Sequence, residues 1–196
     1  MLGWFAYLWF TPIPAPYQYQ LISEGDSKKF PQMDLDAWPD LKLSQYKVQA
    51  EGIDKPIAEL IVAQQGDGPR VLTYWKNSTN EILYNLDRKP SELSALAAVI
   101  GKHAPKDALI LSWWDTSRQI KLLTGHDTLF TSHLNEPLMV PVAWLEQSKA
   151  IMAYENQFWE SSANSKEQEQ FKRFSQALAA SAEEGVAQLR ELIGSS

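Results

Sequence analysis

The hydrophobic period of this chain changes once, close to residue 90, and that change decides what it can fold into. Before it, short β-rich runs alternate with turn signals. Tyr46, Val48 and Ala50 alternate with polar neighbours, and Ile57 to Ala63 is rich in strand formers. Gly66-Asp67-Gly68-Pro69 is a turn signal followed by Arg70 to Trp75. Asn77-Ser78-Thr79-Asn80 is a second, followed by Glu81 to Leu86. Strands separated by tight turns pair with their neighbours, so Leu43 to Leu86 predicts an antiparallel meander. Tyr17 to Leu41, broken by Gly25, Pro31 and Pro39, reads as loop with short extended pieces.

After the change the pattern is helical with strands between. Ser91 is placed to cap a helix running to about His103, with Leu93, Leu96, Ala97 and Ile100 on one face. Pro105 stops it. Ala108 to Trp113 has the length of a buried strand. Asp115 or Thr116 caps a short predicted helix from Ser117 to Thr124, and Gly125 supplies its left-handed end. Thr128 to Thr131 reads as a strand. This helix–strand–helix–strand unit makes the expected sheet mixed. Pro137 and Pro141 break the chain, and Trp144 to Trp159 reads as helix. Ser165-Lys166-Glu167-Gln168 is a capping-box sequence. Phe171, Phe174, Leu178, Ala182, Leu189 and Ile193 then recur at helical spacings, which predicts one long amphipathic helix ending at Gly194. The expected fold class is α/β (α+β): a mixed sheet with an antiparallel meander, that helix–strand unit, and a long C-terminal amphipathic helix.

With 196 residues, 44% hydrophobic and 21% charged, the chain fits one globular domain with a real core. Mean hydropathy is -0.32 and no apolar run reaches the ~20 residues that cross a bilayer, so a multi-span membrane protein is excluded. Leu2 to Phe10 is nevertheless uncharged, and Trp4, Tyr7 and Trp9 are residue types favoured at a membrane–water boundary. No basic region and no cleavage site mark it as a signal peptide. The alternating prolines of Thr11-Pro12-Ile13-Pro14-Ala15-Pro16 enforce an extended spacer. Residues 1–16 are therefore expected to be the end of a membrane anchor and its stem. The other reading is an apolar segment packed on the domain. Residues 17–196 are expected to form a single mixed α/β domain, whose C-terminal end need not be complete.

Eighteen Lys+Arg against 24 Asp+Glu leave a charge of -6, which argues against nucleic acid as a partner. The chain has no cysteine. That excludes disulfides, zinc–thiolate and iron–sulfur sites, thiol catalysis and covalent c-type haem. No nucleotide-binding glycine loop, nucleophile elbow or His-Glu-x-x-His is present. Neither a cofactor nor enzymatic activity is expected. Asn77-Ser78-Thr79 fits the N-glycosylation pattern, a common chance match.

Two constellations bear chemistry. Ser112-Trp113-Trp114-Asp115 lies where a predicted strand meets a helix, and Arg118 follows three residues after Asp115, at pairing distance on a helix. Trp113, Trp114, Asp115 and Arg118 read as a binding ledge of two indoles, a carboxylate and a guanidinium. The plainer reading is a core indole, a surface indole and a capped helix. Gly125-His126-Asp127 with His133 and Glu136 offers metal-ligand types. His126 and His133 are seven apart, however, and would face opposite ways on one strand. No metal site is expected there.

These residues carry two resemblances. Pro105 to Asp115, Arg118-Gln119-Ile120 and Leu123 to Leu129 resemble the start of the soluble domain of the oligosaccharyltransferase catalytic subunit, which carries Trp-Trp-Asp-Tyr-Gly. Here Thr116-Ser117 replaces Tyr-Gly, and the match covers about a seventh of the chain. It implies a glycan- or peptide-binding module, since the catalytic carboxylates of that family lie in a membrane half this chain lacks. The second is longer. Tyr74-Trp75, the helix from Ser91, Ser112 to Thr131, and Val140 to Trp144 through Phe158-Trp159 resemble the hydroxylamine oxidation protein family HaoB, across more than half of the chain. Its genes neighbour hydroxylamine oxidoreductase in ammonia- and methane-oxidising bacteria. The resemblance implies an accessory protein that binds or positions hydroxylamine oxidoreductase or another redox protein. It also implies a periplasmic location, with the N-terminus in the inner membrane.

Overall fold

The computed structural model describes residues 14–79, 89–134, 140–160 and 164–194. Four strands form the meander: β1 Tyr17–Gly25, β2 Leu41–Ala50, β3 Ala58–Gln65 and β4 Val71–Asn77. Each pairs antiparallel with the next, in the order β1-β2-β3-β4. The expected loop at 17–25 is thus a full strand. Its Tyr-Gln-Tyr-Gln-Leu alternation is a strand pattern that the nearby Gly and Pro signals obscured. Ile22 is the extra residue where the register with β2 shifts between Leu21 and Ser23, and such a bulge sits naturally on an edge strand. The run Glu81 to Leu86 lies outside the described residues.

The sheet separates two apolar clusters because side chains alternate along each strand. One face carries Leu41, Leu43, Ile61 and Ala63, packed with Phe30, Met33, Leu35, Ala97 and Leu123. Two short 3-10 turns, Ser27–Lys29 and Pro31–Met33, bring the first of these in. Ala97 comes from α1, Pro90–His103, and Leu123 from α2, Trp114–Thr124. The opposite face carries Val48, Ala58, Leu60 and Val62 against Phe158 and Trp159 of α3, Ser148–Trp159. A 3-10 segment, Val142–Gln147, leads into α3, so the helix expected from Trp144 is present in two parts.

Helix starts differ from expectation by a residue or a turn. Pro90, not Ser91, opens α1 with Lys89 as its N-cap, since a first helical residue needs no N–H. Trp113 is the N-cap of α2, and Gly125 ends it at φ 74 as expected. Asn164 rather than Ser165 caps α4, Ser165–Ala179, by accepting from the Glu167 amide at 2.9 Å.

Two larger differences concern the second half. The strand expected over Ala108 to Trp113 shortens to β5, Leu109–Ile110, which pairs in parallel with β6, Asp127–Thr128. This pair is a separate sheet, not an extension of the meander. The reason lies on the outer edge of β4, where α2 takes the place of a fifth strand. Arg118 Nη2 donates to the Arg70 carbonyl at 2.6 Å, and Gln119 Nε2 donates to that of Leu72 at 2.7 Å. Side chains satisfy the edge carbonyls that another strand would have used. The long C-terminal helix breaks at Ala180, which is extended at ψ 175, into α4 and α5, Ala182–Gly194. Phe174 of α4 and Leu192 of α5 close over Phe130, with Leu111, Trp114, Phe171 and Leu189 around them.

Candidate functional site

The predicted ledge is divided by the structure. Trp113 is 38% exposed and packs edge-on against Phe171 at 4.8 Å. Trp114 is half-buried, packed against the cluster of Leu129, Phe130, Phe174 and Leu192, with the His133 ring edge-on at 5.0 Å. Asp115 Oδ1 accepts from the Thr116 amide at 2.6 Å at the start of α2. Arg118 does not pair with it. Its side chain turns inward to β4 and is only 3% exposed, and burial lowers its pKa to about 10 against the opposing charges of Glu167 and Asp115. One of the four side chains is therefore a buried tie to the sheet.

The histidines also have different partners. His126 Nε2 lies 3.1 Å from the Pro105 carbonyl. His133 stacks on Trp159, with ring centroids 4.6 Å apart and planes 10° from parallel. Its burial, aided by the Arg118 charge, depresses its pKa to about 3, so the ring is neutral at ordinary pH. Asp127 Oδ1 pairs with Lys121 at 3.2 Å on the surface. Glu136 lies outside the described residues. Among the described residues no three His, Asp or Glu gather as metal ligands.

His133 leads instead to a polar cluster inside the sheet–α3 interface. Glu155 of α3 is buried, and three aromatic donors converge on its carboxylate. Oε1 accepts from the hydroxyls of Tyr17 and of Tyr19, the latter at 2.8 Å. Oε2 accepts from Trp159 Nε1 at 2.6 Å. Tyr154 OH accepts from the Tyr19 amide at 2.7 Å. The placement follows from two periods. Tyr17 and Tyr19 alternate onto the same face of β1. Glu155 and Trp159 are one helical turn apart on α3. Burial first, and then the Glu155 charge, push the Tyr17 and Tyr19 hydroxyls well above their ordinary range, so both remain protonated donors. Tyr154 is also raised, again chiefly by burial. Arg70 closes one end, donating from Nη1 to the Phe158 carbonyl at 2.8 Å and pairing with Glu160 at 3.4 Å.

Rings link this cluster to the tryptophan motif. Trp114, His133, Trp159, Tyr19, Tyr17 and Trp144 follow one another at centroid separations of 5.0, 4.6, 6.2, 5.8 and 5.6 Å. Each of these separations lies in the range of favourable aromatic contact.

The family described as HaoA-associated protein HaoB matches residues 1–196. The chain belongs to the HaoB family. No curated protein and no solved structure matches it. HaoA is the hydroxylamine oxidoreductase subunit, and membership gives this HaoB-family chain an accessory role in hydroxylamine oxidation. The resemblance read from Tyr74-Trp75 and Ser112 to Thr131 thus holds over the chain. Reading residues singly, by contrast, missed Tyr17, Tyr19, Tyr154 and Glu155. The available signals were the alternation at Tyr17 and Tyr19, and an acid one turn before Trp159 on an apolar helix face.

Proposed function

We propose that this chain is a membrane-tethered periplasmic accessory protein that binds or positions hydroxylamine oxidoreductase without a cofactor of its own. The family match over residues 1–196 carries the reading, because the family is described by its association with HaoA. The composition supports it. A chain without cysteine has no ligands for covalent c-type haem or iron–sulfur clusters, so it would act on a redox partner from outside that partner's cofactors. The uncharged Leu2 to Phe10 and the proline stem support tethering. Among the described residues no helix is long and apolar enough to cross a membrane.

Of the four ledge residues, Trp113 has the exposure to touch another molecule, and exposed indoles are frequent anchors of protein contacts. Affinity-tagged chain recovered from native membranes is expected to retain hydroxylamine oxidoreductase, and Trp113→Ala to retain less. A chain found in the soluble cytoplasmic fraction with no oxidoreductase attached would overturn the proposal.

A further inference from the structure

We propose that the Glu155 cluster is a site of tyrosyl radical formation, fed by the ring path from Trp114 and using Glu155 as proton acceptor. Three observations carry this. Three oxidisable X–H groups, the Tyr17 and Tyr19 hydroxyls and the Trp159 indole, donate to one buried carboxylate. A buried carboxylate needs several donors, and hydroxyls, amides or cations of any kind would serve. Three groups of the types that lose an electron and a proton together make a shared acceptor. Second, a continuous series of rings, none more than 6.2 Å from the next, runs from Trp114 through His133 and Trp159 to Tyr19 and Tyr17. Third, the path begins beside the exposed Trp113. The phenols stay protonated until oxidised, because burial and the Glu155 charge raise both.

The step balances as follows. A strong one-electron oxidant, of the nitrogen-oxide-radical or ferryl-haem class, takes one electron from Trp114 and is itself reduced by one electron. Trp159 refills Trp114 across the neutral His133 ring, leaving a Trp159 radical cation whose Nε1 proton is shared with Glu155 Oε2. Tyr19 then gives one electron to Trp159, restoring the closed-shell indole with its N–H. The Tyr19 hydroxyl proton moves to Glu155 Oε1. The products are a neutral Tyr19 phenoxyl radical, a protonated Glu155 and a reduced oxidant. Tyr17, on the same Oε1, exchanges the hole with Tyr19: its electron goes to the Tyr19 phenoxyl, the proton held on Glu155 returns to the Tyr19 oxygen, and the Tyr17 hydroxyl proton takes its place on Oε1. The chain would thus take up stray oxidising equivalents near its partner. The redox-partner reading supplies only the origin of the oxidant, and the chemistry belongs to this chain alone.

The test therefore uses the purified full chain and its own oxidant. Azide radicals made by pulse radiolysis oxidise tryptophan first. Transient absorption then follows transfer to tyrosine, and electron paramagnetic resonance of freeze-quenched samples identifies the radical. The wild-type chain is expected to convert its tryptophan radical to a tyrosyl radical within the molecule, at a rate independent of protein concentration. Tyr17→Phe/Tyr19→Phe, which keeps both rings, should lose most of that signal. Glu155→Gln should slow the conversion about tenfold or more, as expected for loss of a charge-assisted acceptor. His133→Leu should slow it while leaving circular dichroism unchanged. A tyrosyl yield and rate unchanged in the double Phe variant would overturn the proposal, and so would a tryptophan radical that never converts. Either failure leaves the oxidoreductase pull-down, and the reading it tests, untouched.

Discussion

At the scale of single residues, burial turns charged and polar side chains into ties between elements. His133 makes a measurable case. Its pKa falls from 6.5 to about 3 in the fold, chiefly by burial and then by the Arg118 charge. The unfolded chain binds more protons between those values, so this contribution to stability is complete above about pH 6.5 and is lost as pH falls toward 3. Chemical denaturation from pH 7 to 4 should show a loss on the order of a few kcal/mol, and His133→Phe should flatten it. An equal slope in the variant would contradict the assignment. Arg118→Ala should destabilise by about 2–4 kcal/mol in urea, because it removes a buried side chain and leaves the part-buried Arg70 carbonyl without that donor. A loss below about 1 kcal/mol would mean that the edge of β4 is satisfied otherwise. The position of Arg118 shows where sequence reading stopped. Its spacing from Asp115 is right for a pair on one helix turn, but the edge carbonyls of β4 compete for the guanidinium. That competition depends on which strand lies alongside, which local spacing does not encode.

At the scale of elements, the periods were legible and the breaks were not. The β2, β3 and β4 runs, the end of α2 at Gly125 and the amphipathic stripe over 171–193 follow from pattern. The division of that stripe into α4 and α5 does not, because its apolar spacing stays in phase through Ala180 and Ser181. What makes the hairpin is close approach. A Cβ at Gly185 would meet the Ala177 carbonyl oxygen at 2.5 Å, and a backbone atom cannot swing aside. Gly185→Ala should therefore destabilise by roughly 1–3 kcal/mol, although alanine is the better helix former by ~1 kcal/mol. Thermal unfolding checks the sign. A raised midpoint would show that the two helices separate freely. The parallel pair β5–β6 was expected inside one mixed sheet, and its separation has the same kind of cause: α2 already occupies the edge it would have joined.

At the scale of the whole molecule, one antiparallel sheet lies between α1 and α2 on one face and α3 on the other. The α4–α5 hairpin packs on Leu111, Leu129 and Phe130, which lie just beyond β5 and β6. This arrangement places the Trp113-Trp114-Asp115 junction and the Glu155 cluster at two ends of one ring path. The sequence motif marked one end. The other end needs β1 and α3 together, residues 17 and 155, which only the tertiary fold joins. Membership of the HaoB family places the molecule beside hydroxylamine oxidation, and the role proposed for it there is to bind the oxidoreductase. The most direct measurement of that claim is sedimentation of the purified chain mixed with purified hydroxylamine oxidoreductase over a range of concentrations. Saturable co-sedimentation at a fixed stoichiometry, weakened by Trp113→Ala, is the predicted result. Independent sedimentation of the two proteins at every concentration, at low and at physiological ionic strength alike, would contradict it.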